Sequence, residues 1–230
     1  MAVFSIRRYS SNDSDAVRML FAQGMMGLLP TAYFYLLKLP QMQVTIFIPF
    51  IALYLVSKSY LLSFVGLAIL MGVGWFILKL FFHKYVDKCH REDLKDIETF
   101  YVMSNNSCFW VAEINGKVIG MVGAKPTQNT KDELELRRLS VAVDHRMQGV
   151  AEALCMKVIG FAEQHGYKHV ILNTSVIQPA ARRLYERIGF ENTNVKVPKF
   201  TNLSHFYYTY TILRRKQLPI LDPKKPTGTH

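Results

Sequence analysis

One continuous apolar segment, residues 44–82, limits what this chain can fold into more than any other feature. Its only formal charges are Lys58 and Lys79, and no Asp or Glu lies between Asp15 and Asp87. The segment is longer than a helix in a globular core, which predicts a membrane segment. As one helix it would measure about 58 Å, roughly twice the hydrocarbon thickness of a bilayer. We therefore predict two crossings rather than one.

A polar patch at residues 57–60 divides the segment into arms at residues 44–56 and 61–82, which predicts a helical hairpin. The first arm is short, contains Pro49, and can extend into residues 33–37 through a kink at Pro40. The segment begins at residue 44, too late for a signal peptide. The alternative is a hydrophobic hairpin buried inside a soluble protein.

Basic side chains flank the hairpin on both sides. They are Arg7, Arg8, Arg18 and Lys38 before it, and Lys79, Lys84, Lys88 and Arg91 at its far end. Because positive loops stay in the cytosol, this distribution predicts that both chain ends face the cytosol.

The net charge of +11 favours a negatively charged partner. The basic residues form no recognisable DNA- or RNA-binding module, whereas anionic cytosolic membrane surfaces attract Lys and Arg as well. The sequence therefore predicts membrane lipid as a partner, and no nucleic acid. The three cysteines, Cys89, Cys108 and Cys155, lack disulfide or metal-ligand spacing, so we predict reduced thiols and no metal.

Outside the hairpin, apolar periodicity and turn residues predict alternating strands and helices. Strands are predicted at residues 4–9, 108–113, 117–124, 134–143, 169–176 and 206–213, and helices at residues 16–26, 92–104, 149–165 and 179–188. Asn115-Gly116 gives the strongest short hairpin signal. This order predicts an α/β fold in which helices cover both faces of a mixed sheet.

A short loop, residues 146–151, joins the strand that contains residues 139–143 to an amphipathic helix. A small-residue loop that opens a helix directs unpaired backbone N–H groups and the positive end of the helix dipole at one point. This arrangement favours a pyrophosphate. The alternative is an ordinary helix that begins after a glycine.

The loop has the pattern Arg/Gln-x-x-Gly-x-Gly/Ala and follows a Leu-x-Val strand, and so resembles the acetyl-CoA signature of the GCN5-related N-acetyltransferases (GNAT). The element order resembles the fold of that family over residues 1–30 and 85–215. The chain further resembles the camello-like acetyltransferases at residues 37–40 (LKLP), 107–113 (SCFWVAE), 139–141 (LSV), 145–149 (HRMQG) and 181–190, which include LY and GF.

The resemblance implies a mixed-sheet GNAT fold with an inserted transmembrane helical hairpin. Residues 1–30 would form the first strand and helix, residues 31–84 the membrane hairpin, and residues 85–215 the rest of the acetyltransferase domain. Residues 216–230, rich in Pro, Lys, Gly and Thr, are predicted to form a disordered tail.

The resemblance also implies acetyl-CoA as cosubstrate and an amine that attacks its thioester directly. Backbone groups of residues 139–141 would pair with the pantetheine arm, and amides of residues 146–151 would hold the pyrophosphate. The Arg146 side chain either helps to neutralise phosphate or is solvated. The predicted cofactor-binding residues are Leu139, Ser140, Val141, Arg146, Met147, Gln148, Gly149, Val150, Ala151 and Asn173.

Two residues are candidates for proton transfer. By resemblance Tyr185 protonates the departing thiolate; its alternative role is packing against the sheet. Glu135 lies at the spacing before Arg146 at which several relatives carry a general base, and alternation with Leu134 and Leu136 turns it to the open side of the sheet. The alternative is a surface glutamate in an acidic patch, with water removing the proton. His145 is predicted to pack beside the phosphate loop.

These expectations describe a membrane-anchored N-acetyltransferase of the endoplasmic reticulum or ER–Golgi membrane, with its catalytic domain facing the cytosol. Cysteine S-conjugates are the first predicted acceptors, and protein lysines or other amino acids are the alternatives. A non-catalytic membrane protein that keeps the fold is the competing class. Gly149, Ala151, Asn173 and Tyr185 argue against a complete loss of cofactor binding.

Overall fold

The computed structural model describes residues 4–104, 106–127, 130, 132–196 and 207–213. These residues form seven strands and six α-helices. The strands are β1 (Ser5–Arg8), β2 (Cys108–Ile114), β3 (Lys117–Pro126), β4 (Glu133–Val141), β5 (His169–Ser175), β6 (Glu191–Lys196) and β7 (Tyr207–Leu213). The helices are α1 (Ser14–Met26), α2 (Leu29–Leu37), α3 (Pro40–Ser57), α4 (Tyr60–Arg91), α5 (Val150–Gln164) and α6 (Pro179–Ile188).

The strands form one sheet in the order β1-β2-β3-β4-β5-β7-β6. Strands β4 and β5 run parallel, and the other neighbouring pairs are antiparallel. The predicted mixed α/β sheet is therefore confirmed. At the predicted hairpin between β2 and β3, Asn115 and Gly116 both have positive φ, as a tight two-residue turn requires.

Helices cover both faces of the sheet. One face packs against α5 and α6, and its core includes Leu134 and Leu136 of β4. The other face packs against α1 and the C-terminal end of α4, which contribute Phe21 and Cys89. Since side chains alternate along a strand, Glu135 lies on the second face, as predicted.

Helices α3 and α4 form the expected hairpin. Lys58, in the left-handed conformation, ends α3, and the Ser59 side chain caps α4 by accepting a hydrogen bond from the Leu62 amide. Three helical segments, Ser11–Leu37, Pro40–Ser57 and Tyr60–Arg91, are long and apolar enough to cross a membrane. Large apolar side chains such as Val56 and Leu61 are exposed along α3 and α4.

The hairpin is continuous with the rest of the domain. Helix α2 ends before the extended residue Leu39, so the chain breaks there instead of kinking within one helix at Pro40. Helix α2 packs on α4 and on Ile177, which follows β5. The predicted boundaries after residues 30 and 84 consequently fall inside α2 and α4.

Two predictions of secondary structure were wrong. Residues 92–104 were expected to be a helix, but they hold only one π-helical turn, Glu98–Val102, because the chain leaves α4 to carry Asp93 into the core. Strand β6 was not predicted. Phe206, at the start of the last predicted strand, and the predicted tail at residues 216–230 lie outside the described residues.

Candidate active site

The parallel strands β4 and β5 separate halfway along their length. Their pairing ends at Leu136 and Leu172. Beyond that point β4 continues beside β3, with Ser140 opposite Met121, while β5 continues beside β7. The backbone of residues 139–141 therefore keeps an edge without a β5 partner, where an extended ligand can pair.

A β-bulge lies in β4 at the point where the strands separate. Arg137 pairs with Gly123 and Ser140 with Met121, so that Arg138 and Leu139 both lie opposite Val122. Arg138 has φ of 58°, in the left-handed region. Its side chain points to the same face as that of Arg137, which interrupts the alternation of the strand.

The predicted phosphate loop runs from the end of β4 into α5. Met147 and Gly149 have positive φ, and Gly149 is the N-cap of α5. Residues 146–149 are exposed, and nothing lies within 4 Å of the position that a Gly149 Cβ would occupy. The free amides of the first helical turn thus open onto unobstructed space.

Two side chains of the loop stabilise its own backbone. Arg146 Nε donates to the Val141 carbonyl at 3.2 Å, and Gln148 Nε2 donates to the Asp144 carbonyl at 3.2 Å. Met147 is almost fully exposed. Val150 is buried in the core behind the loop, so it can offer a ligand only its backbone. His145 is half-buried beside the loop, as expected.

A cavity of about 680 Å³ lies where the strands separate. Its floor comes from the strands and the following loop and carries polar side chains, Glu135, Arg137, Arg138, Asn173, Ser175 and Gln178, among the apolar residues Leu136, Leu139, Leu172 and Ile177. Its wall is apolar and comes from α1, the following turn and α4: Phe21, Met25, Leu28, Leu78, Phe81, Phe82 and Tyr85. Tyr185 reaches the same cavity from α6, on the opposite face of the sheet. The cavity therefore passes through the gap between β4 and β5.

The structure brings the predicted residues Glu135 and Asn173 together on adjacent strands. Asn173 Nδ2 donates to Glu135 Oε1 at 3.1 Å, and Thr209 Oγ1 donates to Asn173 Oδ1 at 3.0 Å. Arg137 Nε lies 3.6 Å from Glu135 Oε2. These contacts hold the Glu135 carboxylate at the cavity.

Tyr185 is buried between the rings of Phe190 and Tyr210, with centroids 5.8 Å and 6.0 Å away. Burial raises the pKa of the Tyr185 phenol, and the neighbouring Cys155 adds to the rise. The hydroxyl therefore stays protonated at neutral pH. Within the described part of the chain it has no hydrogen-bond partner, and it is one of the groups that line the cavity. Both predicted roles, proton donor and packing residue, are compatible with this position.

The glycine at position 24 lets α1 approach β4 closely. A Cβ there would lie 2.6 Å from Ser140 Oγ, which donates to the Leu20 carbonyl at 3.4 Å. Ser140 is thus turned towards α1, and its backbone is the part left to meet a ligand. No group of three or more potential metal-ligating side chains occurs among the described residues.

A sequence model of the acetyltransferase (GNAT) family matches residues 75–190, from within α4 to just beyond α6. The matched segment contains β4, β5 and the phosphate loop. The chain belongs to the GNAT acetyltransferase family. Its curated GNAT relatives include camello-like and N-acetyltransferase family 8 proteins, and this chain is accordingly an enzyme, an acetyl-CoA-dependent acyltransferase.

Two GNAT relatives cover most of the chain. The probable N-acetyltransferase camello of Xenopus laevis is 45% identical over 217 residues, which are 92% of this chain and 99% of that protein. N-acetyltransferase 8B of Homo sapiens is 40% identical over 196 residues, 84% and 86% of the two chains. A GNAT acetyltransferase structure from Staphylococcus aureus Mu50 shares the fold, with a TM-score of 0.56 at 15% identity over 91% of this chain and 99% of that one.

This GNAT site contains a buried ion pair that sequence reasoning missed. Arg138 Nη2 and Nε donate to the two carboxylate oxygens of Asp93 at 2.6 Å and 2.8 Å, and the Tyr101 hydroxyl donates to the same carboxylate at 2.7 Å. Burial opposes ionisation of Asp93, but hydrogen bonds and charge from Arg138 outweigh it and lower the pKa of the carboxyl. The pair is therefore charged at neutral pH.

One signal in the sequence pointed to this pair. Leu134, Leu136 and residue 138 share one phase of the strand, so an arginine at position 138 puts a charge where alternation predicts a buried apolar side chain. Such a conflict indicates either a buried ion pair or a bulge, and both are present here. Arg137, Thr209 and the apolar wall on α1 and α4 are the other missed parts of this GNAT site.

Proposed function

We propose that this chain is a membrane-anchored N-acetyltransferase that transfers acetyl from acetyl-CoA to the α-amine of a cysteine S-conjugate. The observation that carries the proposal is the cavity at the separation of β4 and β5, which reaches Tyr185 of α6 on one face of the sheet and an apolar wall from α1 and α4 on the other. Charged side chains in the floor and an apolar wall suit an acceptor with a charged end and an apolar tail.

The cofactor side fits a nucleotide thioester. Residues 139–141 offer a free strand edge, and the loop before α5 offers free amides with open space at Gly149. The helix dipole of α5, a helix of 15 residues, favours a negative group at this end. We assign pantetheine binding to the strand edge and pyrophosphate binding to the amides of residues 146–151.

Two side chains would move protons in this reaction. The amine nitrogen attacks the thioester carbonyl carbon and the carbon–sulfur bond breaks. Glu135 takes the proton of the amine, directly or through water, and Tyr185 gives its proton to the departing thiolate. Solvent then returns a proton to Tyr185 and removes one from Glu135, so no group on the enzyme is consumed.

Arg137 is the cation we assign to the acceptor carboxylate. Its one ionic contact among the described residues is Glu135 at 3.6 Å, whereas Arg138 is bound at two points to Asp93. An arginine fork matches a carboxylate, and the neighbouring Leu78 and Phe82 give an apolar surface for the tail. Acceptor and cofactor would approach from opposite faces of the sheet.

Exposed apolar surface supports the membrane assignment. Helix α3 has no buried residue, and Phe47, Ile48 and Phe76 are each about 60% exposed. Patches of this extent mark a membrane or protein interface, and the length of the helices favours a bilayer. We place both chain ends in the cytosol because Lys and Arg flank the hairpin on both sides. The endoplasmic reticulum or ER–Golgi membrane is proposed from the resemblance to camello-like acetyltransferases.

The test is an acetyl-transfer assay of the full chain in detergent with acetyl-CoA and three acceptors: S-benzylcysteine, aspartate and a lysine peptide. S-benzylcysteine should give the highest kcat/KM. Two matched analogues separate the contributions of the apolar tail and the carboxylate to binding. S-methylcysteine lacks the apolar tail, and S-benzylcysteine methyl ester lacks the carboxylate. Each should raise KM by at least about tenfold, because a desolvated tail or a charged hydrogen bond is lost.

Other outcomes would change the assignment. A higher kcat/KM for the lysine peptide would make the chain a protein acetyltransferase, and a preference for aspartate would remove the role of the apolar wall. For the topology, a C-terminus protected from protease added outside sealed microsomes would contradict the cytosolic placement.

A further inference from the structure

We infer that Asp93 and Arg138 are a positioning pair, which holds β4 in the bulged conformation that presents residues 139–141 to acetyl-CoA. This inference rests on the proposed cofactor site. It concerns the residues that shape the site, not those that touch the reacting atoms.

The bulge lies at the start of the free strand edge. Arg138 and Leu139 lie opposite Val122, immediately after the last β4–β5 pair at Leu136 and immediately before the free strand edge. The extra residue shifts the phase of the strand by one position. Without it, Ser140 and Leu139 would exchange faces, and Ser140 would lose its contact with α1.

Arg138 has an unfavourable backbone conformation. Its φ of 58° lies in the left-handed region, which residues other than glycine adopt at an energetic cost. An arginine there is stable only if its surroundings impose the conformation. The sequence supplies no glycine at this position, so the strand pairing on either side of Arg138 and the contacts of its side chain have to offset this cost.

Contacts with three residues, Asp93, Cys89 and Phe21, hold the Arg138 side chain. Besides the two hydrogen bonds to Asp93, Arg138 Nη1 donates to Cys89 Sγ at 3.1 Å, and its guanidinium lies 4.9 Å from the Phe21 ring centroid. The side chains of Arg138 and Asp93 are 10% and 3% exposed. The bulge is therefore tied to α1, to the end of α4 and to the segment behind it.

The ion pair between Arg138 and Asp93 fixes a position more than it stabilises the fold. A buried ion pair contributes little net stability compared with apolar residues of similar size, because desolvation offsets the attraction. Its two-point geometry nonetheless fixes where the guanidinium lies. The pair is therefore suited to positioning the β4 backbone beside the proposed cofactor site.

The experiment separates backbone conformation from charge. Arg138→Ala and Arg138→Gly are each combined with Asp93→Asn, so that neither protein buries an unpaired carboxylate. Both lack the ion pair, but only glycine adopts positive φ freely. The full chain is purified in detergent, and the KM for acetyl-CoA, the Kd for CoA and the thermal midpoint are measured.

We expect the alanine variant to raise the KM for acetyl-CoA and the Kd for CoA by at least about tenfold. In the glycine variant both constants should be about fivefold lower than in the alanine variant, because glycine removes the penalty on the left-handed backbone. Equal CoA affinity of the two variants, or wild-type affinity of the alanine variant, would overturn the inference. If wild-type protein itself binds no CoA, the proposed function fails instead.

The matched control is a second two-point pair on β1. Arg7 binds Asp13 at 2.6 Å and 2.8 Å, and Asp13 is buried. Arg7→Ala with Asp13→Asn should lower the thermal midpoint without changing the CoA affinity. If the position 138 variants do not fold, Arg138→Lys keeps the charge and removes the two-point contact. It should raise the KM for acetyl-CoA by at least about threefold, and an unchanged KM would overturn the inference.

Discussion

The two sides of the cavity are made of different chemical groups. The proposed cofactor side is made of backbone, namely the free edge of β4 and the amides before α5. The proposed acceptor side is made of side chains, with Glu135 and Arg137 below and Phe82 above. The difference teaches that the two sides can vary independently: acceptor preference can change by substitution while cofactor binding, which depends on backbone conformation, is kept.

The largest expected effect lies where the two sides meet. Tyr185→Phe should lower kcat by about 10² to 10⁴, with both KM values nearly kept, since a general acid contributes about this much. Because the pKa of Tyr185 is raised, its titration should not limit the rate below about pH 10. Steady-state kinetics checks this. The control is Tyr167→Phe, because Tyr167 is a buried tyrosine whose hydroxyl donates to the Asn106 carbonyl at 3.2 Å. Wild-type turnover of Tyr185→Phe would mean that Tyr185 serves only for packing.

The next effect should be confined to the cofactor side. Gly149→Glu should weaken acetyl-CoA binding by at least about tenfold, because a carboxylate enters the space assigned to pyrophosphate. Gly166→Glu is a close control, as Gly166 also has positive φ and open surroundings but follows the other end of α5. Calorimetric titration with CoA distinguishes them. Equal affinity of both variants would remove the phosphate-loop assignment.

On the acceptor side, Glu135→Gln should lower kcat/KM by about tenfold, with water replacing the base in part. A carboxylate can take the proton of the amine, whereas the amide of glutamine cannot, so the pH–rate profile of the variant should differ from that of the wild type. The pH–rate profile is the measurement. Glu133→Gln, two residues earlier on β4, should keep the wild-type profile. An unchanged profile for Glu135→Gln would leave the role to water or another group.

The smallest effect tests whether acceptor recognition is independent of cofactor binding. Arg137→Gln should raise the KM for S-benzylcysteine by about fivefold and leave the KM for acetyl-CoA unchanged, because it removes one partly exposed charged contact. The KM for S-benzylcysteine methyl ester, which lacks the carboxylate, should not respond. A comparable rise for the ester would mean that Arg137 does not bind the carboxylate.

The parts of the molecule that depend on neighbouring residues were predictable. Alternation placed Leu134 and Leu136 in the core and Glu135 on the opposite face, and the glycine at position 149 marked the start of α5. The two arms of the helical hairpin were predictable from the apolar segment at residues 44–82. Each of these features is set by local geometry, which a sequence pattern records directly.

The remaining parts depend on contacts between distant segments. Asp93 was placed in a helix because its neighbours favour one, but its partner Arg138 lies on β4, and the ion pair overrides local propensity. Strand β6 has the polar sequence ENTNVK without apolar alternation, and it forms at the sheet edge through pairing with β7. The apolar wall was not predictable because α1 and α4 meet only in the fold.

Helix α4 is unbroken over 32 residues, and its length determines how far the cavity wall lies from the hairpin tip. At about 1.5 Å per residue, a hydrocarbon layer of about 30 Å accommodates about 20 residues. Counted from Tyr60 in the proposed topology, that distance ends at Lys79, and the cavity wall at Phe82 and Tyr85 would then lie among the lipid headgroups. The effective concentration of an amphiphilic acceptor at the enzyme would then be its mole fraction in the membrane surface. Diluting the bilayer with inert lipid would slow the reaction even at constant bulk concentration.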